Sequence, residues 1–237
     1  MYKGKKILAF IPARKGSKRI KEKNGVLINE KPMFEYSIEV AKKSKYIDKI
    51  IFSTDSKEWL EYAQSLGCEK NKLRPKELSE DTSRTIDVML YEIEKMKLND
   101  FDAIVLLQPT SPYRTVELLD NAIEEYFKTE TSLITIVEAK EQPILMRKIV
   151  DGRLTKIIRD SSDIRSQDFE KIYKVIGNIY VNNIKNLNRD IVLNENEIGF
   201  IIDEKFNIDI DVMEDFEKAK KIMEGTEIWK YIWFTTL

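Results

Sequence analysis

Short apolar, β-branched runs alternate with longer helical patterns through the first 138 residues of the chain. The apolar runs predict four buried strands, at 7–12, 49–54, 103–108 and 133–138. Apolar residues recur at helical spacing in three segments between them, at 32–43, 85–97 and 115–127. Pro32 suits a first helical turn, and Thr85 and Thr115 are candidate N-caps. This alternation predicts an α/β fold with a mostly parallel central sheet flanked by helices.

The alternation stops at about residue 139. Residues 144–158 are typical of two strands joined by an Asp151-Gly152 turn. Strand character then returns, and the segment 211–225 predicts a helix with acids in its first turn, lysines later and Gly225 as its end. We therefore predict one α/β domain with a small inserted subdomain, the domain comprising 1–138 and 176–237 and the insert 139–175.

Composition narrows the class of protein. The chain has 237 residues, 42% of them hydrophobic, which is enough for a substantial core. Lys and Arg total 40 against 41 Asp and Glu, so the net charge of -1 argues against a general nucleic-acid or polyanion-binding surface. The single cysteine, Cys68, excludes an internal disulfide, and no apolar run is long enough to span a membrane. We expect a cytoplasmic protein.

The chain contains no histidine. This excludes Ser-His and Cys-His nucleophilic machinery and leaves proton transfer to carboxylates, Lys, Tyr or the substrate. Any bound metal must be held by oxygen ligands, as Mg²⁺ or Mn²⁺ would be.

The loop after the first predicted strand, residues 13–31, is strongly basic. It matches neither the Walker A loop nor the GxGxxG fingerprint. Ligands of open parallel sheets bind at the carboxyl ends of strands, where a long loop around Gly16 and Ser17 can wrap a triphosphate with its cations Arg14, Lys18, Lys21 and Lys23. The alternative is a solvated lysine-rich loop, which composition alone favours because charge runs usually face solvent.

Two further segments carry candidate chemistry. Asp209 and Asp211 alternate along an extended stretch, so both side chains leave one face and can converge on a divalent cation. The alternative is that Asp211 only caps the helix beginning at Val212. Residues 106–114 comprise the end of a predicted strand and a polar loop bounded by prolines, with the polar residues Gln108, Thr110, Ser111 and Arg114. Such a loop suits the binding of substrate hydroxyls or a carboxylate, and the alternative is an ordinary strand-to-helix turn.

With these segments in this order, the sequence resembles the acylneuraminate cytidylyltransferase family, enzymes that activate sialic acid and related nine-carbon α-keto acids as CMP-sugars. The resemblance covers nearly the whole chain. Six segments carry it: IPARKGSKRIKEKN (11–24), STDS (53–56), RPKELSEDTS (74–83), LLQPTSPYR (106–114), RSQD (165–168) and DIDVMEDF (209–216). Two positions depart from the family pattern: Lys15 replaces a small residue, and Ile176-Gly177-Asn178 replaces Asn-Gly-Ala.

The resemblance implies a nucleotide-diphospho-sugar transferase-like, Rossmann-like fold and a role for each matching residue. The implied CTP contacts are Arg14, Ser17, Lys23, Asn24, Arg74 and Ser83, of which Arg14 and Lys23 are catalytic together with Asp211. The implied sugar contacts are Gln108, Arg165 and Gln167. The implied ligands of Mg²⁺ (or Mn²⁺) are Asp209 and Asp211. The insert is implied to make a homodimer, with Arg165 and Gln167 reaching the neighbouring subunit.

The activity implied is transfer of the cytidylyl group from CTP to sialic, legionaminic or pseudaminic acid. The anomeric hydroxyl attacks the α-phosphate in line with magnesium assistance, and pyrophosphate leaves. One rival is a nucleotidyltransferase of the same architecture that acts on another sugar or a sugar 1-phosphate. A second rival is a non-catalytic polyanion-binding module, against which the near-zero net charge speaks.

Overall fold

The computed structural model describes residues 1–158 and 169–225. Within these ranges the strands are β1 (Ile7–Pro12), β2 (Leu27–Ile28), β3 (Lys31–Pro32), β4 (Lys49–Ser53), β5 (Ala103–Leu106), β6 (Leu133–Glu138), β7 (Arg147–Val150), β8 (Arg153–Lys156), β9 (Tyr173–Asn183) and β10 (Ile198–Ile201). The α-helices in the same ranges are α1 (Met33–Lys43), α2 (Lys57–Ser65), α3 (Thr85–Met96), α4 (Val116–Thr129) and α5 (Met213–Gly225). None of the helices described is long and apolar enough to cross a lipid bilayer.

The central sheet contains six strands in the order β10-β6-β9-β5-β1-β4. β1 pairs in parallel with β4 and β5, and β10 pairs in parallel with β6. β9 is antiparallel to both of its neighbours, β5 and β6. All strands of this sheet except β9 therefore run in one direction, which confirms the predicted mostly parallel α/β architecture.

The core lies on both faces of this sheet. Along β1, Ile7, Ala9 and Ile11 belong to one buried cluster, and Leu8 and Phe10 belong to a second cluster on the opposite face. Successive side chains of a strand point to opposite faces, so a strand covered on both sides must be apolar throughout. The sheet centre is thus packed on both faces, and its carboxyl edge is the place from which the loops depart.

The first turns of α3 and α4 show which of the two predicted N-caps, Thr85 and Thr115, is correct. Thr115 caps α4, because its hydroxyl accepts a hydrogen bond from the Leu118 amide. The prediction that Thr85 is an N-cap is wrong: α3 begins at Thr85 itself, and Arg84 occupies the cap position without a side-chain hydrogen bond. The helix α2, for which no pattern was singled out, follows Ser56, whose side chain accepts from the Trp59 amide.

The hairpin predicted in the insert is confirmed. β7 and β8 pair antiparallel in a sheet of their own, apart from the central sheet. Asp151 (φ 50°) and Gly152 (φ 73°) between them both have the left-handed backbone of a tight hairpin turn. The central sheet resumes at Tyr173, the first residue of β9. The role of 139–175 as a separate dimerisation subdomain stays a prediction.

Candidate active site

A cavity of about 510 Å³ opens at the carboxyl edge of the sheet, where β1 and β5 end. It collects nine of the residues to which the family resemblance assigns a role: Arg14, Ser17, Lys23, Asn24, Arg74, Ser83, Gln108, Asp209 and Asp211. The other two predicted residues, Arg165 and Gln167, lie outside the described residues. Segments almost 200 residues apart in the chain therefore share one cavity, because the parallel strands place their following loops at one edge.

The basic loop after β1 is held in shape by its own polar contacts. The Asn24 side chain donates to the Arg14 carbonyl at 3.0 Å, which closes the loop on itself. The Lys15 amide donates to an Asp55 carboxylate oxygen at 2.7 Å, which ties the loop to the end of β4. A Cβ at Gly25 would collide with the Trp59 ring, so this loop packs against α2 only with glycine there.

The loop's cations divide into two groups. Arg14, Lys18, Arg19 and Lys23 line the cavity, whereas Lys21, which was predicted with them, is not among the residues of its wall. Lys15 instead lies outside the cavity wall, with its ammonium group 3.7 Å from Glu22 and 3.8 Å from Glu58. The departure from the family pattern at Lys15 therefore places its charge on α2, away from the cavity.

Asp81 is a cavity residue that the sequence analysis missed. Its carboxylate lies 2.6 Å from the Lys18 ammonium and 2.8 Å from the Arg14 guanidinium. Hydrogen bonds from Lys18 and Arg14 hold the pKa of Asp81 below its usual range. Its position inside the RPKELSEDTS segment was the only available signal, and that segment pointed equally to Arg74 and Ser83.

Asp211 faces the basic loop. The Lys23 ammonium donates to its Oδ1 at 2.8 Å, and Arg19 Nη2 lies 3.3 Å from the same oxygen. The Lys23 hydrogen bond is the main reason that the pKa of Asp211 is lowered. The contacts of the Asp211 carboxylate are with Lys23 and Arg19, while Asp215 accepts from the Asp211 and Val212 amides at 3.0 Å each at the start of α5.

Asp209 lies beside the Thr110 loop at the cavity. Solvent reaches its side chain from the cavity, but the surrounding protein partly buries it, and this burial raises its pKa. The negative charge of Asp211 raises that pKa further, whereas a hydrogen bond with Thr110 opposes the rise. The Ile210 amide donates to the Thr110 carbonyl at 2.8 Å and fixes the two segments together.

This carboxylate pair fits a magnesium ion. The described residues contain no cluster of three or more His, Cys, Asp or Glu side chains that could hold a metal. Mg²⁺ is commonly bound by one or two carboxylates together with substrate phosphates and water, so Asp209 and Asp211 are a sufficient protein contribution. Asp209 and Asp211 line the same cavity, with one residue between them in the chain.

Arg114 does not face the cavity as the sequence suggested. It is 4% exposed and donates to the Asn178 side chain at 3.2 Å, to the Ser37 hydroxyl at 2.6 Å, and to the Gln108 and Asn178 carbonyls at 2.9 Å each. Burial lowers its pKa to about 9, so the guanidinium remains charged at neutral pH. The role of Arg114 is to hold the Gln108 loop against β9.

The Ile176-Gly177-Asn178 departure lies at an irregularity in β9. The register with β6 shifts there, and the Thr135 hydroxyl accepts from the Ile179 amide and donates to the Ile176 carbonyl. A Cβ at Gly177 would collide with Gln108 Oε1. A side chain at this position would therefore displace the Gln108 amide, and Asn178 accepts two hydrogen bonds from Arg114.

A second cavity, of about 240 Å³, adjoins the first and shares Thr85 and Gln108 with it. The Tyr180 hydroxyl donates to Asn194 at 2.9 Å in its wall. Burial raises the pKa of Tyr180 to about 12, so this phenol keeps its proton at neutral pH. Sequence reasoning missed Tyr180 and Asn194. Tyr180 lies in β9 and Asn194 in a polar loop, and no local pattern in the sequence predicts that their side chains meet.

The fold and this site define an α/β nucleotide-binding protein, with a cationic loop and a carboxylate pair at the carboxyl edge of the sheet. The sequence model of the cytidylyltransferase family matches residues 8–230, and the chain belongs to that family. The resemblance drawn from the six segments is thereby confirmed.

Named relatives agree with this assignment. The chain is 33% identical over 226 residues to the CMP-N,N'-diacetyllegionaminic acid synthase of Legionella pneumophila. The matched region covers 92% of this chain and 97% of that protein. It is 30% identical over 220 residues to the pseudaminic acid cytidylyltransferase of Campylobacter jejuni, with 91% and 95% covered. Its fold is similar to that of a CMP:2-keto-3-deoxy-manno-octonic acid synthetase complexed with CTP, with a TM-score of 0.69, 17% identity and coverage of 92% and 98%.

Proposed function

We propose that the protein transfers the cytidylyl group from CTP to a nine-carbon α-keto acid sugar, of the sialic, legionaminic or pseudaminic type. The observation that carries the proposal is the single cavity in which the cations of the basic loop meet Asp209 and Asp211. The names of the relatives support CTP as donor and a nonulosonic acid as acceptor. The second cavity, separated by Gln108, supplies a place for the acceptor. A cytoplasmic location is supported by Cys68, which is a free thiol.

The reaction is a direct in-line displacement. The anomeric hydroxyl oxygen forms a bond to the α-phosphorus, the bond to the bridging oxygen of the β-phosphate breaks, and pyrophosphate leaves. Such a step needs positioning and charge neutralisation more than covalent help, which suits a chain without histidine. A magnesium ion, when bound, supplies charge neutralisation at the phosphates.

The chain's own residues supply charge neutralisation, metal binding, proton transfer and sugar binding. Arg14 and Lys23 offset negative charge on the phosphates and the leaving pyrophosphate. Asp209 and Asp211 would hold the metal, and Asp211, ionised at neutral pH, accepts the hydroxyl proton directly or through water. Gln108, whose backbone carbonyl accepts from Arg114, contacts the sugar.

Pyrophosphate release tests this proposal. The protein is mixed with CTP and Mg²⁺ and with each of sialic, legionaminic, pseudaminic and ketodeoxyoctonic acid. We expect release with one of the nine-carbon acids and none in its absence. Preference for UTP or GTP would favour another nucleotidyltransferase, and no release with any acid would overturn the proposal. Salt-sensitive RNA binding in place of turnover would support the polyanion-binding rival.

We also propose a homodimer formed through the insert. Ile149 and Leu154 face each other across the hairpin and are 74% and 75% exposed. Val150 and Ile157 of the same segment are also exposed, and a group of exposed apolar side chains marks an interaction surface. Sedimentation velocity should give a dimer for the native protein and a monomer for the I149D/L154D variant. The matched control is L27D, which changes an exposed leucine outside the insert. A native monomer at micromolar concentration would contradict the proposal.

A further inference from the structure

Glu92 is a buried carboxylate that the proposed chemistry does not use. It lies on α3, is 1% exposed, and is not part of the cavity wall. Its oxygens accept from the Ser53 hydroxyl at 2.7 Å and from the Asn71 amide at 3.0 Å, and the Lys95 ammonium lies 2.6 Å away. A carboxylate so deeply buried is costly unless its partners are ordered, so its contacts define a fixed framework.

Ser53 connects Glu92 to the cavity. A hydroxyl has one proton, and a carboxylate can only accept, so that proton is committed to Glu92. The Ser53 oxygen therefore turns its lone pair to Arg74, whose Nε donates to it at 3.1 Å. Arg74 Nη2 also donates to the Ser53 carbonyl, and the Arg74 amide donates to the Thr54 carbonyl at 2.8 Å. The guanidinium is thus held along one edge by the end of β4.

The other edge of the Arg74 guanidinium lacks a protein partner. Arg74 is 6% exposed and lines the nucleotide cavity. Within the described ranges, Nη1 makes no hydrogen bond to protein. Burial lowers the pKa of Arg74 to about 10, while Asp55 and Glu92 oppose this change, so the group is cationic at neutral pH. A nearly buried, charged donor without a partner points to an acceptor on the ligand.

We propose that Glu92, acting through Ser53, is a positioning residue that orients Arg74 toward the pyrimidine of the bound nucleotide. This inference rests on the proposed function. Cytosine offers acceptors at O2 and N3, whereas N3 of uracil carries a proton and is a donor. A guanidinium with fixed direction therefore favours CTP over UTP, and one that has lost its direction discriminates less.

A double-mutant cycle tests the relay. Dissociation constants for CTP and UTP are measured calorimetrically with Mg²⁺ for the native protein, E92Q, R74A and E92Q/R74A. We expect E92Q to weaken CTP binding by about 5- to 10-fold and to reduce the preference over UTP, and R74A to weaken it by about 30-fold. Because Glu92 acts only through Arg74, the double variant should bind CTP no worse than R74A.

Two further variants separate positioning from stability. S53A breaks the relay without removing the buried charge, and it should reproduce the loss of CTP preference. E94Q changes an exposed glutamate on the same helix and should behave like the native protein. Multiplicative losses in the cycle, or a lowered melting temperature with unchanged nucleotide preference, would overturn the relay. A native protein that does not bind CTP would instead overturn the proposed function.

Discussion

Replacing Asp211 with alanine is expected to lower turnover by about 100-fold or more while leaving the fold intact. The carboxylate lies at the cavity, where it pairs with the side chains of Lys23 and Arg19. Its removal takes away one of two predicted metal ligands and the predicted proton acceptor. Its backbone stays in place, because the amide of residue 211 donates to Asp215 and does not depend on its own side chain.

Steady-state pyrophosphate release across a magnesium titration measures this effect. The matched control is E214A, which removes an exposed carboxylate from the first turn of α5, where Glu214 pairs with Lys218. The control should retain turnover, and circular dichroism should show both variants folded. Near-native turnover of the D211A variant at saturating Mg²⁺ would show that Asp211 is neither a metal ligand nor the proton acceptor.

Replacing Arg114 with methionine is expected to lower the free energy of unfolding by about 3 kcal/mol or more. Methionine has a similar length but no donors. The change leaves acceptors on Gln108 and Asn178, and the Ser37 hydroxyl, without the donors they now have. Each buried polar group that loses its partner keeps the cost of its desolvation.

Urea unfolding measures this loss against an exposed arginine. R84M is the control, because Arg84 is more than half exposed and its pairing with Asp87 lies in solvent. We expect the control to lose much less than R114M. The R114K variant should recover only part of the stability, because an ammonium group cannot reproduce the planar fork. Equal losses for R84M and R114M would contradict the structural role of Arg114.

Arg114 and Arg74 show where sequence reasoning reached its limit. Both arginines belong to polar segments that carry the family resemblance, which implies a CTP contact for Arg74, whereas Arg114 is only one of the polar residues in a candidate substrate loop. In the structure Arg74 lines the cavity, whereas Arg114 is enclosed between α1, β9 and the Gln108 loop. The difference arises from what packs around each residue, and those neighbours are distant in the chain.

The sequence by itself determined the strands β1, β4, β5 and β6, the helices α1, α3, α4 and α5, the hairpin of the insert and four segments that line the cavity, namely the basic loop, 74–83, 106–114 and 209–216. These features depend on local periodicity, turn chemistry and short motifs, all of which involve residues close together in sequence. Only the tertiary structure decided that β9 lies antiparallel between β5 and β6, that Lys15 leaves the cavity while Lys23 meets Asp211, and that Glu92 lies behind Arg74. Strand pairing and burial join residues far apart in sequence, so local patterns cannot specify them.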